Sequence, residues 1–246
     1  MNILYHKHNT QSENSLCITT HRSYTISIYT PPFASNPKKF YDETETYNFI
    51  SSMIEQQPPT PLINTSVPDI ALECYHEGKI TKYKPSDLKG KWIVYFFYPA
   101  DFTFVCPTEL REMAHLYKEF QESNAEVISV STDTVFVHKA WHDNSPAIKE
   151  VQFPMAADPT GSFCKAMGTY IQEEGLSYRA SFVVDPDGII KAYEIHDNSI
   201  GRSAQELLRK LKAAQFVREH GGEVCPANWK PGSDTLKPGL DLVGKI

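Results

Sequence analysis

The stretch from Trp92 to Ser131 constrains the fold more than any other part of the chain. It opens with Trp92-Ile-Val-Tyr-Phe-Phe-Tyr98, seven consecutive apolar residues. The run is short, aromatic and β-branched, which predicts a strand buried on both faces. From Pro107 to Ser123, apolar residues recur at 110, 113, 114, 117 and 120, the stripe of an amphipathic helix. Pro107 falls in the first turn, where its missing N–H costs nothing. Glu126-Val-Ile-Ser-Val-Ser131 reads as a second strand. Strand, helix and strand in this order make a βαβ unit, whose strands run parallel.

Further elements follow the same logic. A helix is expected over about 135–143. Ala180–Asp185 and Ile189–Ile195 are expected strands, joined by the hairpin turn Pro186-Asp187-Gly188. Ser203 and Glu206 form a capping box that opens a helix to about Glu219, ended by Gly221-Gly222. The order β-α-β-α-β-β-α predicts an α/β sandwich with a mixed central sheet flanked by helices.

The chain divides by texture into residues 1–60, 61–222 and a tail, 223–246, with three prolines and three glycines. The first segment is hydroxyl-rich, broken by Pro31-Pro32 and Pro58-Pro59-Thr60-Pro61, and carries no sustained period. It is expected to be a poorly ordered extension, either an organelle-type leader or the product of a start codon placed ahead of Met53. Lys and Arg number 24 against 30 Asp and Glu, a net charge of −6. That balance argues against nucleic acid and against a polybasic membrane-surface role. The longest apolar run is seven residues, far short of the roughly 20 that a spanning helix needs. Five cysteines, at 17, 74, 106, 164 and 225, include no C-x-x-C pair. With no signal-peptide pattern, these point to a reducing compartment, the cytoplasm, or an organelle should the first segment be a transit peptide.

Cys106 closes a strand-to-helix loop and stands at the start of the next helix. Free amide N–H groups and the positive end of the helix dipole meet there and favour thiolate over thiol. Thr103, three residues earlier, adds a hydroxyl. On these residues alone, a reactive thiol and a buried structural cysteine stand as equal readings.

The segment Phe97-Tyr-Pro-Ala-Asp-Phe-Thr-Phe-Val-Cys-Pro-Thr-Glu-Leu110 contains Pro99-x-x-x-Thr103-x-x-Cys106, which matches the peroxidatic signature of the peroxiredoxins. Ser131-Thr-Asp-Thr134, His138-Lys-Ala-Trp141 and Glu223-Val-Cys-Pro-Ala227 follow in the family's order. The chain resembles the typical two-cysteine subgroup, on the side of the bacterial alkyl hydroperoxide reductase C proteins, from about Leu62 to Ile246. The resemblance implies a thioredoxin-like fold and a thiol-dependent peroxidase for hydrogen peroxide and small organic hydroperoxides. It makes Cys106 the peroxidatic nucleophile and Cys225 the resolving thiol, joined as an intersubunit disulfide. Thr103 would bond the peroxide, Pro99 would shield the thiolate, Arg179 would hold thiolate and peroxide, and Glu109 would orient Arg179. No cofactor is implied. The partners implied are a peroxide, thioredoxin or a flavoprotein disulfide reductase as electron donor, and further copies of the chain as a homodimer and a ring of five dimers.

Sensitive family members carry a Gly-Gly-Leu-Gly loop and a Tyr-Phe C-terminal helix. This chain has Asn144-Ser-Pro-Ala-Ile-Lys-Glu-Val-Gln-Phe153 and ends in Leu242-Val-Gly-Lys-Ile246, so resistance to overoxidation is expected. Two rival functions are a holdase chaperone and a general thiol–disulfide oxidoreductase. The second would place C-x-x-C at the helix start, where this chain reads Val105-Cys106-Pro107. Cys74 and Cys164 are expected to pack. His138 and His142 lie four apart but have no third ligand, so no metal is expected. Trp141 and Trp229 are expected to be packing partners near the two cysteine segments.

Overall fold

The computed structural model describes the backbone of residues 4–10, 13–19 and 25–29, and residues 61–245 in full. Two compact units result, 1–60 and 61–246. In the first, strands β1 (Leu4–Thr10), β2 (Glu13–Thr19) and β3 (Thr25–Tyr29) pair in sequence as an antiparallel meander. At those three stretches the backbone is extended and paired, Leu4 opposite Thr19 and Ser15 opposite Tyr29. Their Thr, Ile and Tyr content favours strands even without a sustained alternation. The Cys17 side chain lies outside the described residues.

The second unit is built on a mixed seven-stranded sheet. Its strands are β4 (Leu72–His76), β5 (Lys79–Tyr83), β6 (Trp92–Phe97), β7 (Ala125–Ser131), β8 (Met155–Ala157), β11 (Arg179–Val184) and β12 (Ile190–His196). They lie in the order β12-β11-β6-β7-β8-β4-β5. The pairs β6–β7 and β7–β8 are parallel and the rest antiparallel. The small strands β9 (Tyr170–Ile171) and β10 (Leu176–Ser177) pair apart from the sheet. The helices are α1 (Cys106–Glu122), α2 (Val135–Asn144), α3 (Ser162–Ala166) and α4 (Ala204–Glu219).

Every residue of β6 is buried, because the pleat sends alternate side chains into two cores. Trp92, Val94, Phe96 and Tyr98 face a cluster with Leu110, Met113 and Phe120 of α1 and Leu207, Leu208 and Leu211 of α4. Ile93, Tyr95 and Phe97 face Phe163, Met167 and Phe182 on the other side. The apolar run thus supplies both layers.

The expected βαβ unit, the hairpin and the last helix are all present. Asp185 closes the hairpin, its Oδ1 accepting from the Asp187 and Ile189 amides at 3.0 Å each, while Gly188 takes φ +83°. The capping box at α4 is only half formed. Ser203 Oγ accepts from the Glu206 amide at 3.3 Å, but the Glu206 carboxylate turns to Arg209 instead of back to Ser203. The β4–β5 hairpin, β8, α3 and the β9–β10 pair are additions to the expected order; β8 has three residues, and β5 is an almost fully exposed edge. The tail does not separate from the domain: a reciprocal bridge joins Val224 and Leu236, and Trp229 is buried against Phe216 with ring centroids 4.9 Å apart.

Candidate active site

The site forms where β6 ends and α1 begins, opposite the first residue of β11. Since Ala180 pairs with Phe97, Arg179 projects beside the loop that leaves β6. Pro99 is buried in that loop, and Asp101 anchors it. Tyr98 donates to Asp101 Oδ1 at 2.7 Å, and His138 Nδ1 lies 2.8 Å from Asp101 Oδ2. The His138 Nε2 is 3.2 Å from the Ala156 carbonyl, which can only accept, so that nitrogen carries a proton. Burial pushes the Asp101 carboxyl above its ordinary value, against the opposing effect of the His138 and Tyr98 bonds. Phe102 follows with φ +55°, a left-handed turn that this anchor holds in place.

Cys106 is the first residue of α1 and is fully buried. Arg179 Nη1 lies 3.3 Å from its Sγ and donates to Glu109 Oε2 at 2.7 Å, while Arg179 Nε donates to the Asn198 carbonyl at 2.9 Å. The guanidinium is therefore fixed from two sides while it faces the sulfur. Thr103 is half-buried, and its hydroxyl donates to the Ala100 carbonyl at 2.9 Å. Its lone pairs stay available to accept.

Glu109 is held by a second arginine that sequence reasoning missed. Arg202 donates to Glu109 through its backbone N–H at 2.7 Å, Nε at 2.9 Å and Nη2 at 3.1 Å. Its Nη1 reaches the Ala180 carbonyl at 2.6 Å, and the guanidinium lies 3.5 Å over the Phe96 ring centroid. Burial alone would raise the Glu109 carboxyl, but the bonds and charge of Arg202, aided by Arg179, outweigh it and hold the group below the usual carboxylate range. The only signal for Arg202 in the sequence is its place just ahead of the α4 cap.

The other residues singled out from the sequence can also be placed. Cys74 and Cys164 are buried and their thiols are pushed up to about 12, so neither competes as a nucleophile. His138 belongs to the loop anchor, and His142 packs edge-on against Tyr75 with centroids 5.3 Å apart. Trp141 is buried beside Tyr98 and Phe102. Cys225 is not brought to Cys106: it is a half-buried free thiol resting on α4, 3.8 Å from the Ala213 carbonyl.

A thiol at a helix N-terminus under a fixed arginine is a nucleophile site whose fold-mates can be named. The AhpC/TSA family model matches residues 63–193, and a C-terminal domain of 1-Cys peroxiredoxin matches residues 213–243. The chain belongs to the AhpC/TSA family and is a peroxiredoxin. Alkyl hydroperoxide reductase C of Pseudomonas aeruginosa is 53% identical to this peroxiredoxin over 75% of the chain and 99% of its own length. The Escherichia coli K12 protein of that name is 51% identical over the same shares, 75% and 99%. The crystal structure of Enterococcus faecalis AhpC covers 68% of this chain and 100% of its own, with 51% identity and a TM-score of 0.66. The reduced 2-Cys peroxiredoxin of Plasmodium vivax reaches a TM-score of 0.71 at 29% identity, covering 74% of this chain and 95% of its own. The mixed seven-stranded sheet with its flanking helices is thus a thioredoxin-like α/β fold.

Proposed function

We propose that this peroxiredoxin reduces hydrogen peroxide and small organic hydroperoxides at Cys106 and closes an intersubunit disulfide with Cys225 of a second copy, protecting against oxidative stress. The observation that carries this reading is the 3.3 Å approach of Arg179 Nη1 to Cys106 Sγ at the start of α1. The Cys106 thiolate attacks one peroxide oxygen, the O–O bond breaks, and the departing oxygen takes a proton to leave as alcohol or water. Negative charge moves from sulfur to that oxygen. Arg179 and the α1 amides are already aimed at its path, so little reorganisation is needed. Thr103 accepts from the peroxide O–H, and buried Pro99 keeps bulk water from the sulfur. Glu109 and Arg202 hold Arg179 in register.

The sulfenic acid at Cys106 then condenses with the Cys225 thiol: an S–S bond forms, the S–O bond breaks, and water leaves. A dithiol donor, thioredoxin or a flavoprotein disulfide reductase, restores both thiols by exchange. Edge strand β12 suits an antiparallel homodimer, and the exposed Phe102, Phe104 and Phe136, at 58%, 93% and 71% relative exposure, suit further contacts that build a ring of five dimers. In a peroxide-consumption assay with either donor, Cys106→Ser is expected to abolish turnover. Turnover that survives this substitution overturns the reading, and suppression of aggregation without peroxidase activity in the wild type would favour a holdase.

A further inference from the structure

Helix α4 holds the loop that carries Cys225, with Arg209 as a cation in the contact. Arg209, Ala213 and Phe216 lie along one face of α4 at helical spacing, and the tail folds back across it. Near its root, Cys225 Sγ lies 3.8 Å from the Ala213 carbonyl. Four residues on, Trp229 is 4% exposed, packs at a tilt against Phe216 and donates from Nε1 to the Ser233 carbonyl at 3.2 Å. Arg209 is the polar grip on this loop. Its Nη1 donates to the Trp229 carbonyl at 3.0 Å, while Glu206 fixes its fork through Nε–Oε2 at 2.7 Å and Nη2–Oε1 at 2.8 Å.

We propose that Arg209 is a positioning residue for the resolving step: it seats the Cys225 loop on α4 and presents its positive charge to the Cys225 thiol. The proposal rests on Cys225 being the resolving cysteine. The titratable groups around the loop are Glu206 and Arg209 on α4, His220 just past its end, and Glu223 and Lys237 in the tail, where Lys237 pairs with Glu223 at 3.7 Å. Burial raises the Cys225 thiol above its ordinary value, and Arg209 is the charge that opposes this. The cation therefore favours the form of Cys225 that attacks the Cys106 sulfenic acid, forming S–S, breaking S–O and releasing water. A guanidinium suits this place because it can bind a carboxylate and a carbonyl at once and still direct charge sideways.

The test separates charge from mere support. Full-length reduced protein is mixed with one equivalent of hydrogen peroxide, quenched with an alkylating reagent at successive times, and run on non-reducing gels between about pH 6 and pH 10. In Arg209→Met, disulfide formation is expected to be about three- to tenfold slower than wild type at pH 7, with the gap closing at high pH, where the thiol ionises unaided. Equal slowing at every pH, or an unchanged profile, overturns the proposal. Should Arg209→Met lose the fold, Glu206→Gln gives the opposite sign: with its carboxylate partner gone, the undivided charge moves the profile to lower pH. No shift, or an upward one, overturns it. Cys225→Ser, run alongside, should give no covalent dimer. A dimer in that variant removes the premise that Cys225 resolves, whatever the Arg209 profile shows.

Discussion

Glu109→Gln tests the electrostatic frame of the site most directly. The carboxylate accepts four N–H bonds, one from Arg179 and three from Arg202, with all three side chains almost fully buried. An amide keeps one acceptor oxygen and turns an NH₂ group toward a guanidinium. Two buried cations then lose their counter-charge. Breaking a buried ion pair from one side costs about 3–5 kcal/mol, a large share of the roughly 5–15 kcal/mol that holds a domain together. Urea unfolding at fixed protein concentration should register this loss, and peroxide reduction should fall about tenfold or more as Arg179 loses its aim. The pH dependence has a definite sign. Because the folded Glu109 carboxyl sits below its unfolded value of about 4.3, its contribution is complete above that pH and is lost as pH falls through the folded value. Wild type and variant should therefore converge in acid. Destabilisation below about 1 kcal/mol, with unchanged peroxide reduction, would mean that Glu109 does not hold the two arginines in place.

Three other outcomes are expected. Asp101→Ala should cost about 3 kcal/mol by thermal denaturation and slow peroxide reduction, since it strands Tyr98 and His138 and frees the loop. A chain starting at Met53 should keep the thermal unfolding midpoint of the 61–246 unit and its peroxidase rate, because residues 1–60 form a unit of their own; loss of either would show that they support the domain. Mass spectrometry after turnover at rising peroxide should find little Cys106 sulfinic acid until peroxide far exceeds the level that silences Gly-Gly-Leu-Gly relatives, and early accumulation would count against fast resolution.

Strong periodicity made much of the scaffold readable. The β6 run, the α1 stripe and the β11–β12 hairpin each carry a signal longer than one turn, so local preference and tertiary burial agree. Short elements were hidden: three residues of β8 hold no period, and β5 exposes its side chains on both faces. At the site, Cys106 at a helix start and the Thr103 hydroxyl three residues earlier were legible locally, while Pro99 drew its role from the family signature. Arg179 and Glu109 came only through likeness to a family, because nothing local says that residues 70 apart will meet at 2.7 Å. Arg202 and Asp101 show the deeper limit. A buried charge looks like any surface charge in a sequence until the partners that compensate it are known.

The two buried carboxylates also act as mooring posts. Asp101 and Glu109 are fixed, and only residues 102–108 run between them. The amides of the first turn of α1 have no partner within the helix, so that turn is the end of α1 least held by its own hydrogen bonds. Were that turn to open, the line would be short: at about 3.4 Å per residue the steps from Asp101 to Glu109 reach about 27 Å, so the middle could swing out by about 14 Å at most. Cys106 sits toward the Glu109 end, where the slack is smaller still. The sulfur thus has a berth with a fixed radius, and whatever reacts with it must come within that radius.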